Sequence, residues 1–276
     1  MPLFKKTAII GVGLIGGSLA LGIKKRKLSR EVVGISRHSK TISLALKMKA
    51  IDKGSLALGI IKGADLVIIA TPVNTIIGLR KKISRYIGKG CVITDVGSTK
   101  EAVFASLGGV FPSYIGSHPL AGSEKSGVIN ASPDLFKGSL CVLTSGKRSP
   151  SLALKKIEKM WKKLGAKTIT LTPKLHDRNL AFASHLPHAV AYSLMKSIPA
   201  DTLKFSAGGL RDTTRIAASD PLLWRDIFLT NKGNLLKAIG AFQDNLNKIK
   251  SAIKRGDARG LQNILLQSKR KRELLG

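Results

Sequence analysis

The chain has 276 residues, 43% hydrophobic and 23% charged, with 47 lysines and arginines against 16 acidic residues for a formal net charge of +31. That length accommodates about two ordinary domains, each able to bury a core, and the composition excludes a disordered or fibrous chain. No apolar run approaches the roughly 18 residues of a membrane span, and the first apolar stretch is interrupted by glycines, so no membrane association is expected and the chain is placed in the cytoplasm.

The first element is a short apolar strand, Thr7-Ala8-Ile9-Ile10, followed by Gly11-Val12-Gly13-Leu14-Ile15-Gly16 and a helical pattern. Glycines in G-x-G-x-x-G spacing between a strand and a helix suit a dinucleotide. Gly11 permits the tight turn, Gly13 lets the backbone approach a pyrophosphate, and Gly16 lets helix and strand pack closely. The helix N-terminus, at Leu14 and Ile15, offers N–H groups to the anion. A second strand, Val32-Val33-Gly34-Ile35, ends in Ser36-Arg37-His38. A carboxylate at its end would hold a ribose diol; Ser36, Arg37 and His38 instead suit a phosphomonoester, so the cofactor reading favours NADP over NAD.

Further strands are expected at Leu66–Ala70, Cys91–Thr94, Tyr114–Gly116 and Leu140–Leu143, alternating with helical segments. Near-continuous apolar strands between helices predict a doubly wound parallel sheet, an N-terminal Rossmann-type domain over residues 1–148. Thr71-Pro72 ends the first of these runs, where a cofactor's ribose and nicotinamide would lie, and Asp95-Val96-Gly97-Ser98-Thr99-Lys100 ends the next. His118, in Gly116-Ser117-His118-Pro119, is placed on a strand-end loop, where an imidazole can take a proton near neutral pH.

A turn-rich stretch, Ser145 to Pro150, leads into a mainly helical segment over residues 149–276, with one further helix-strand unit at Leu152–Leu164 and Thr168–Leu171. Ser184-His185-Leu186-Pro187-His188 puts two imidazoles three apart on one helix face, with Pro187 opening a helix. No third ligand string accompanies them, and no metal is expected. Leu235, Ile239, Phe242, Leu246, Ile249 and Ile253 recur at spacings of 4, 3, 3, 4 and 3, an apolar stripe suited to packing within or between subunits. Cys91 and Cys141 have no C-x-x-C partner and read as buried small hydrophobes. Basic clusters such as Lys24-Lys25-Arg26-Lys27 and Lys269-Arg270-Lys271-Arg272 are scattered and lack interleaved aromatics, so a solvated lysine-rich surface is expected and no nucleic-acid partner.

Five strings taken in order resemble the prephenate and arogenate dehydrogenases of tyrosine biosynthesis: Gly11 to Ser18, Thr94 to Lys100, Gly116 to Gly127, Ser184 to His188 and Gly209 to Ala217. The resemblance covers essentially the whole chain. It implies oxidative decarboxylation of prephenate to 4-hydroxyphenylpyruvate, or of arogenate to tyrosine, by NAD(P). It implies His118 as the group that deprotonates the C4 hydroxyl with Ser98 beside it, and His188 lining the pocket. Arg215 would clamp a carboxylate, with Ser123, Glu124, Asp212 and Trp224 around the substrate. It also implies a helical C-terminal domain that forms a homodimer. Two other classes stay open from the residues alone: a different Rossmann hydroxyacid dehydrogenase or imine reductase, and a non-enzymatic nucleotide- or nucleic-acid-binding protein that exploits the charge.

Overall fold

In this computed structural model, which describes residues 1–121, 125–146 and 149–275, the chain begins as expected with alternating strands and helices. They are β1 (Phe4–Ile10), α1 (Leu14–Lys25), β2 (Ser29–Ile35), α2 (Ser39–Lys47), β3 (Lys53–Ser55), β4 (Leu66–Ile69), α3 (Val73–Ile83), β5 (Val92–Asp95), α4 (Glu101–Leu107) and β6 (Tyr114–Pro119). These strands are parallel throughout. Two apolar layers cover the sheet. Leu19 and Ile23 of α1 lie in one with Ile157 and Trp161; Val73 and Ile76 of α3 lie in the other with Val103 and Leu107 of α4. Burial on both faces is why β4 reads as an unbroken apolar run.

The sheet has eight strands in the order β3-β2-β1-β4-β5-β6-β7-β8, and one junction departs from the wholly parallel expectation. β7 (Leu140–Thr144) runs antiparallel to β6, with Cys141 opposite Pro119. A parallel neighbour needs a crossover to the opposite end of the sheet. The segment joining β6 to β7 returns instead to the end it left, where Leu120 N donates to Leu140 O at 2.7 Å, so the next strand must run the other way. α5 (Ser151–Lys163) then crosses back, and β8 (Lys167–Leu171) joins parallel to β7. The helix-strand unit beyond residue 148 therefore extends the sheet, which ends at Leu171 rather than at the expected boundary of 148/149. Leu171 pairs with Thr144, Thr144 with Gly116, and Gly116 with Asp95, so β8 delivers the chain to the level where β5 ends.

From there the chain is helical: α6 (Pro173–Leu180), a π-helical turn (Ala181–His185), α7 (Leu186–Ser197), α8 (Gly208–Thr214), α9 (Pro221–Thr230), α10 (Lys232–Arg255) and α11 (Ala258–Glu273). Side-chain caps mark several starts: Thr172 accepts from Leu175 N, Asp220 from Leu222 N and Asp257 from Gly260 N. Gly256, left-handed at φ +65°, closes α10. Pro187 does not open an isolated helix. It lies inside a continuous helical run, immediately after the π-helical turn. Proline cannot donate to the Ala183 carbonyl and its ring would clash with it, and a wider turn relieves that conflict. No helix among the described residues is long and apolar enough to cross a membrane.

Candidate active site

The glycine turn has the shape a dinucleotide needs. Gly11 has φ +96°, and a Cβ there would sit 2.5 Å from the Ala70 carbonyl oxygen; a Cβ on Gly16 would sit 2.0 Å from the Gly11 oxygen. At Gly13 an added Cβ meets nothing within 4 Å, so the backbone there faces open space. No side chain caps the start of α1, where Leu14 and Ile15 form the first turn. Beside this turn, the Thr71 hydroxyl oxygen is buried without a hydrogen-bond partner, and Pro72 caps α3. An open cradle next to an orphaned hydroxyl fits the ribose and pyrophosphate of a dinucleotide. At the end of β2, Ser36 accepts from His38 N at 3.2 Å, and exposed Arg37 and His38 line a depression with Ser39, Lys40, Thr41 and Leu56.

His118 is the penultimate residue of β6, not a loop residue as the sequence suggested, and is held by the strand ladder opposite Val142. Strand alternation puts Tyr114, Gly116 and His118 on one face. There His118 Nδ1 lies 2.8 Å from His176 Nε2, His176 Nδ1 lies 2.7 Å from Asp177 Oδ1, and both histidine rings are buried. Asp177 also accepts the backbone N–H groups of Lys100 (2.7 Å) and Glu101 (2.9 Å) at the start of α4. Beneath this cluster Lys100 and Asp95, both fully buried, form an ion pair. Asp95 further accepts from the Tyr114 hydroxyl at 2.6 Å and from Gly97 N at 2.8 Å. Ser98 is half-buried in the turn after β5; since Asp95 pairs with Gly116, Ser98 and His118 project from the same end of adjacent strands.

A second group lies on the helices. His188 stacks on Trp224 with ring centroids 3.4 Å apart, and its Nδ1 donates to the Ser184 carbonyl at 3.0 Å. His185 meets the same indole edge-on at 6.1 Å and accepts from Asn231 Nδ2 at 3.1 Å, while its Nε2 is buried without a partner. Trp224 is therefore buried, yet its neighbours are the two histidines as much as the apolar core. Arg215 and Asp212 are exposed, and the Arg215 charge is felt at His188. Ser123 and Glu124 lie outside the described residues.

Burial pushes all four of these histidines below their ordinary range: His118 well below, His185 to about 4, and His176 and His188 in the same direction. Neutral imidazoles in the fold that would charge readily once unfolded make stability rise with pH. Their contribution is complete above the unfolded value of about 6.5 and is lost as the pH falls towards the folded values. The thermal midpoint should accordingly be level near pH 8 and drop steadily between about pH 6.5 and 4. A midpoint unchanged at the acidic end of that window would show that the cluster carries no such linkage.

The structure thus brings together His118, Ser98, Lys100 and Asp95 at one strand end, and His188, Trp224 and Arg215 on the neighbouring helices. His176, Asp177 and Asn231 were given no role from the sequence. The one visible signal was a His-Asp pair in an otherwise basic segment, Lys174 to Arg178, since nothing local reports that both side chains are buried.

Residues 19–170 match the profile of the prephenate dehydrogenase nucleotide-binding domain, and residues 172–267 match that of the prephenate dehydrogenase dimerization domain. A prephenate dehydrogenase of Bacillus subtilis is 37% identical over 273 residues, spanning 95% of this chain and 74% of that protein. The crystal structure of prephenate dehydrogenase from A. aeolicus, in complex with hydroxyphenyl propionate and NAD+, superposes with a TM-score of 0.93 at 35% identity over 99% of this chain and 98% of its own. An arogenate dehydrogenase from Synechocystis gives a TM-score of 0.86 at 27% identity over 98% of this chain and all of its own.

Proposed function

The chain belongs to the prephenate dehydrogenase family, and from that premise we propose that it oxidises prephenate with His118 as the base and Arg215 as the carboxylate clamp. The observation that carries this reading is the placement of a buried imidazole at the end of β6, level with the cradle that fits the cofactor. Bound NAD(P)+ supplies a two-electron acceptor for the hydride at C4 of the substrate. His118 takes the C4 hydroxyl proton as that hydride leaves. An alcohol losing hydride becomes the conjugate acid of a ketone, far more acidic than the alcohol, so a base with a depressed pKa suffices. When the bond from C1 to its carboxylate breaks and releases CO2, its electrons aromatise the ring. His118 then returns the proton to the same oxygen, which becomes the phenol of 4-hydroxyphenylpyruvate, so no net proton is consumed.

His188 is held with Nδ1–H on the Ser184 carbonyl, which keeps the lone pair at Nε2 for a substrate donor. Trp224 fixes that ring by stacking. Ser98 completes the polar end of the pocket beside His118, and Asp212 is assigned to its rim. Arg215 offers a planar two-donor fork to a carboxylate. Arg215→Ala should raise KM for prephenate about 10- to 150-fold, equivalent to about 1.5–3 kcal/mol, with kcat little changed. Arg215→Lys should do nearly the same, because an ammonium keeps the charge and loses the fork. Unchanged KM in both variants would remove Arg215 from the site.

For the cofactor we favour NADP. Ser36 leaves no carboxylate to repel a 2′-phosphate, and Arg37, His38 and Lys40 surround the adjoining depression. Following nicotinamide reduction with NAD and NADP, each with prephenate and with arogenate, tests the substrate and cofactor together. Higher kcat/KM with NADP is expected, and Ser36→Asp combined with Arg37→Ala should shift the preference towards NAD. A strong NAD preference in the unmodified protein would overturn the assignment of Ser36, Arg37 and His38. Faster turnover of arogenate than of prephenate would favour the alternative reading, an arogenate dehydrogenase. α10 carries the expected stripe, with Phe242, Leu246 and Ile253 at 37%, 51% and 63% exposure, and on this reading a second copy of the chain covers it in a homodimer.

A further inference from the structure

We propose that His176 and Asp177 are positioning residues for His118, an Asp-His-His chain that fixes its Nδ1–H tautomer and so aims a lone pair on Nε2 at the reacting hydroxyl. The proposal rests on the reading of His118 as the base. Its direction follows from donor and acceptor counting along three side chains. Asp177 receives the N–H of Lys100 on Oδ1 and that of Glu101 on Oδ2, both at the N-terminus of α4. With both of its oxygens already accepting an N–H, the carboxylate meets His176 as an acceptor. His176 Nδ1, 2.7 Å from Oδ1, must then carry the hydrogen. A neutral imidazole has one N–H, so His176 Nε2 holds a lone pair. His118 Nδ1, 2.8 Å away, must be the donor into it. The remaining nitrogen of His118 is left as the acceptor.

Free histidine has no such bias, and without a partner on Nδ1 the ring could place its hydrogen on Nε2, where it would block proton abstraction. When His118 takes the substrate proton, the same bond to His176 Nε2 shares the imidazolium charge, and Asp177 balances it from the far side. The two rings are tilted 53° with centroids 5.0 Å apart, so they meet edge on through the hydrogen bond rather than by stacking. Both members of the chain come from α6, and β6 is fixed against them by its ladder with β7.

The test combines steady-state kinetics with nitrogen NMR of the 15N-histidine-labelled full-length enzyme, which distinguishes a protonated ring nitrogen from one with a lone pair. His176→Phe should lower kcat about 100-fold with KM within about threefold of wild type. His176→Gln, which keeps an acceptor where Nε2 stands, should recover kcat to within about tenfold of wild type. In the unmodified enzyme the His118 signals, identified by their loss in His118→Ala, should report hydrogen on Nδ1 and a lone pair on Nε2. A His176→Phe enzyme with near-normal kcat would overturn the proposal, as would a wild-type spectrum with hydrogen on His118 Nε2 or equal losses in the Phe and Gln variants. Should the Phe variant not fold, the wild-type spectrum and the Gln variant still decide. Near-normal turnover in His118→Ala would instead defeat the underlying assignment of the base.

Discussion

His118→Ala should reduce kcat by a factor of about 10² to 10⁴, the usual contribution of a positioned general base. His118 is 9% exposed, and its partner on Nδ1 is a single imidazole, so the folded protein should survive the truncation with a modest loss of thermal midpoint. Because the hydroxyl proton moves as the hydride leaves, the loss should fall on kcat more than on KM, and single-turnover reduction of the nicotinamide would read it directly. His118→Asn should behave alike, since an amide has the size but not the basicity. Turnover near that of wild type in both variants would make His118 a structural residue.

The largest expected effect on stability comes from beneath the site. Lys100→Met leaves the Asp95 carboxylate fully buried with two neutral donors and no counter-charge, and breaking a buried pair in this way costs about 3–5 kcal/mol. Asp95→Asn leaves the ammonium in the same position and should cost a similar amount. The double variant, which removes both charges, should lose less than the sum of the two singles, because neither charge is then stranded. Urea unfolding of the four proteins measures this, and strict additivity would show that the pair is not coupled. Tyr114 is tied to the same carboxylate, and burial beside that charge pushes its phenol well above the ordinary range, so it stays a donor.

What could be read from the sequence was local. Gly11, Gly13 and Gly16 announce their geometry because each constraint acts between residues a few positions apart, and the structure gives each glycine the space expected. The stripe from Leu235 to Ile253 was legible for the same reason, a period that one helix satisfies alone. The direction of β7 was not, because Leu140 to Thr144 has the same apolar texture whether it runs with β6 or against it. Nor was the length of the sheet, since β8 follows a polar turn that looked like a boundary. His118 was placed at the correct strand end, but its partners are 58 and 59 residues further on, and only the return of β8 to the level of Asp95 brings α6 over it. Arg215 and Asp212 were named through the resemblance, and nothing in their spacing would have found them.

The π-helical turn at Ala181–His185 sets the phase of everything after it. An α-helix advances about 100° per residue, so one added residue rotates the downstream helix by that angle relative to the upstream one. Buried His176 and Asp177 lie before the turn and His188, stacked on Trp224, lies after it, so the angle between the two groups depends on the extra residue. The constraint is on length rather than identity. Exposed Phe182 and Ala183 can change type at little cost, whereas deleting either would straighten the helix and carry His188 off the Trp224 ring. Sequence drift in this segment should therefore take the form of substitutions, and insertions or deletions here should be as damaging as the loss of a pocket residue.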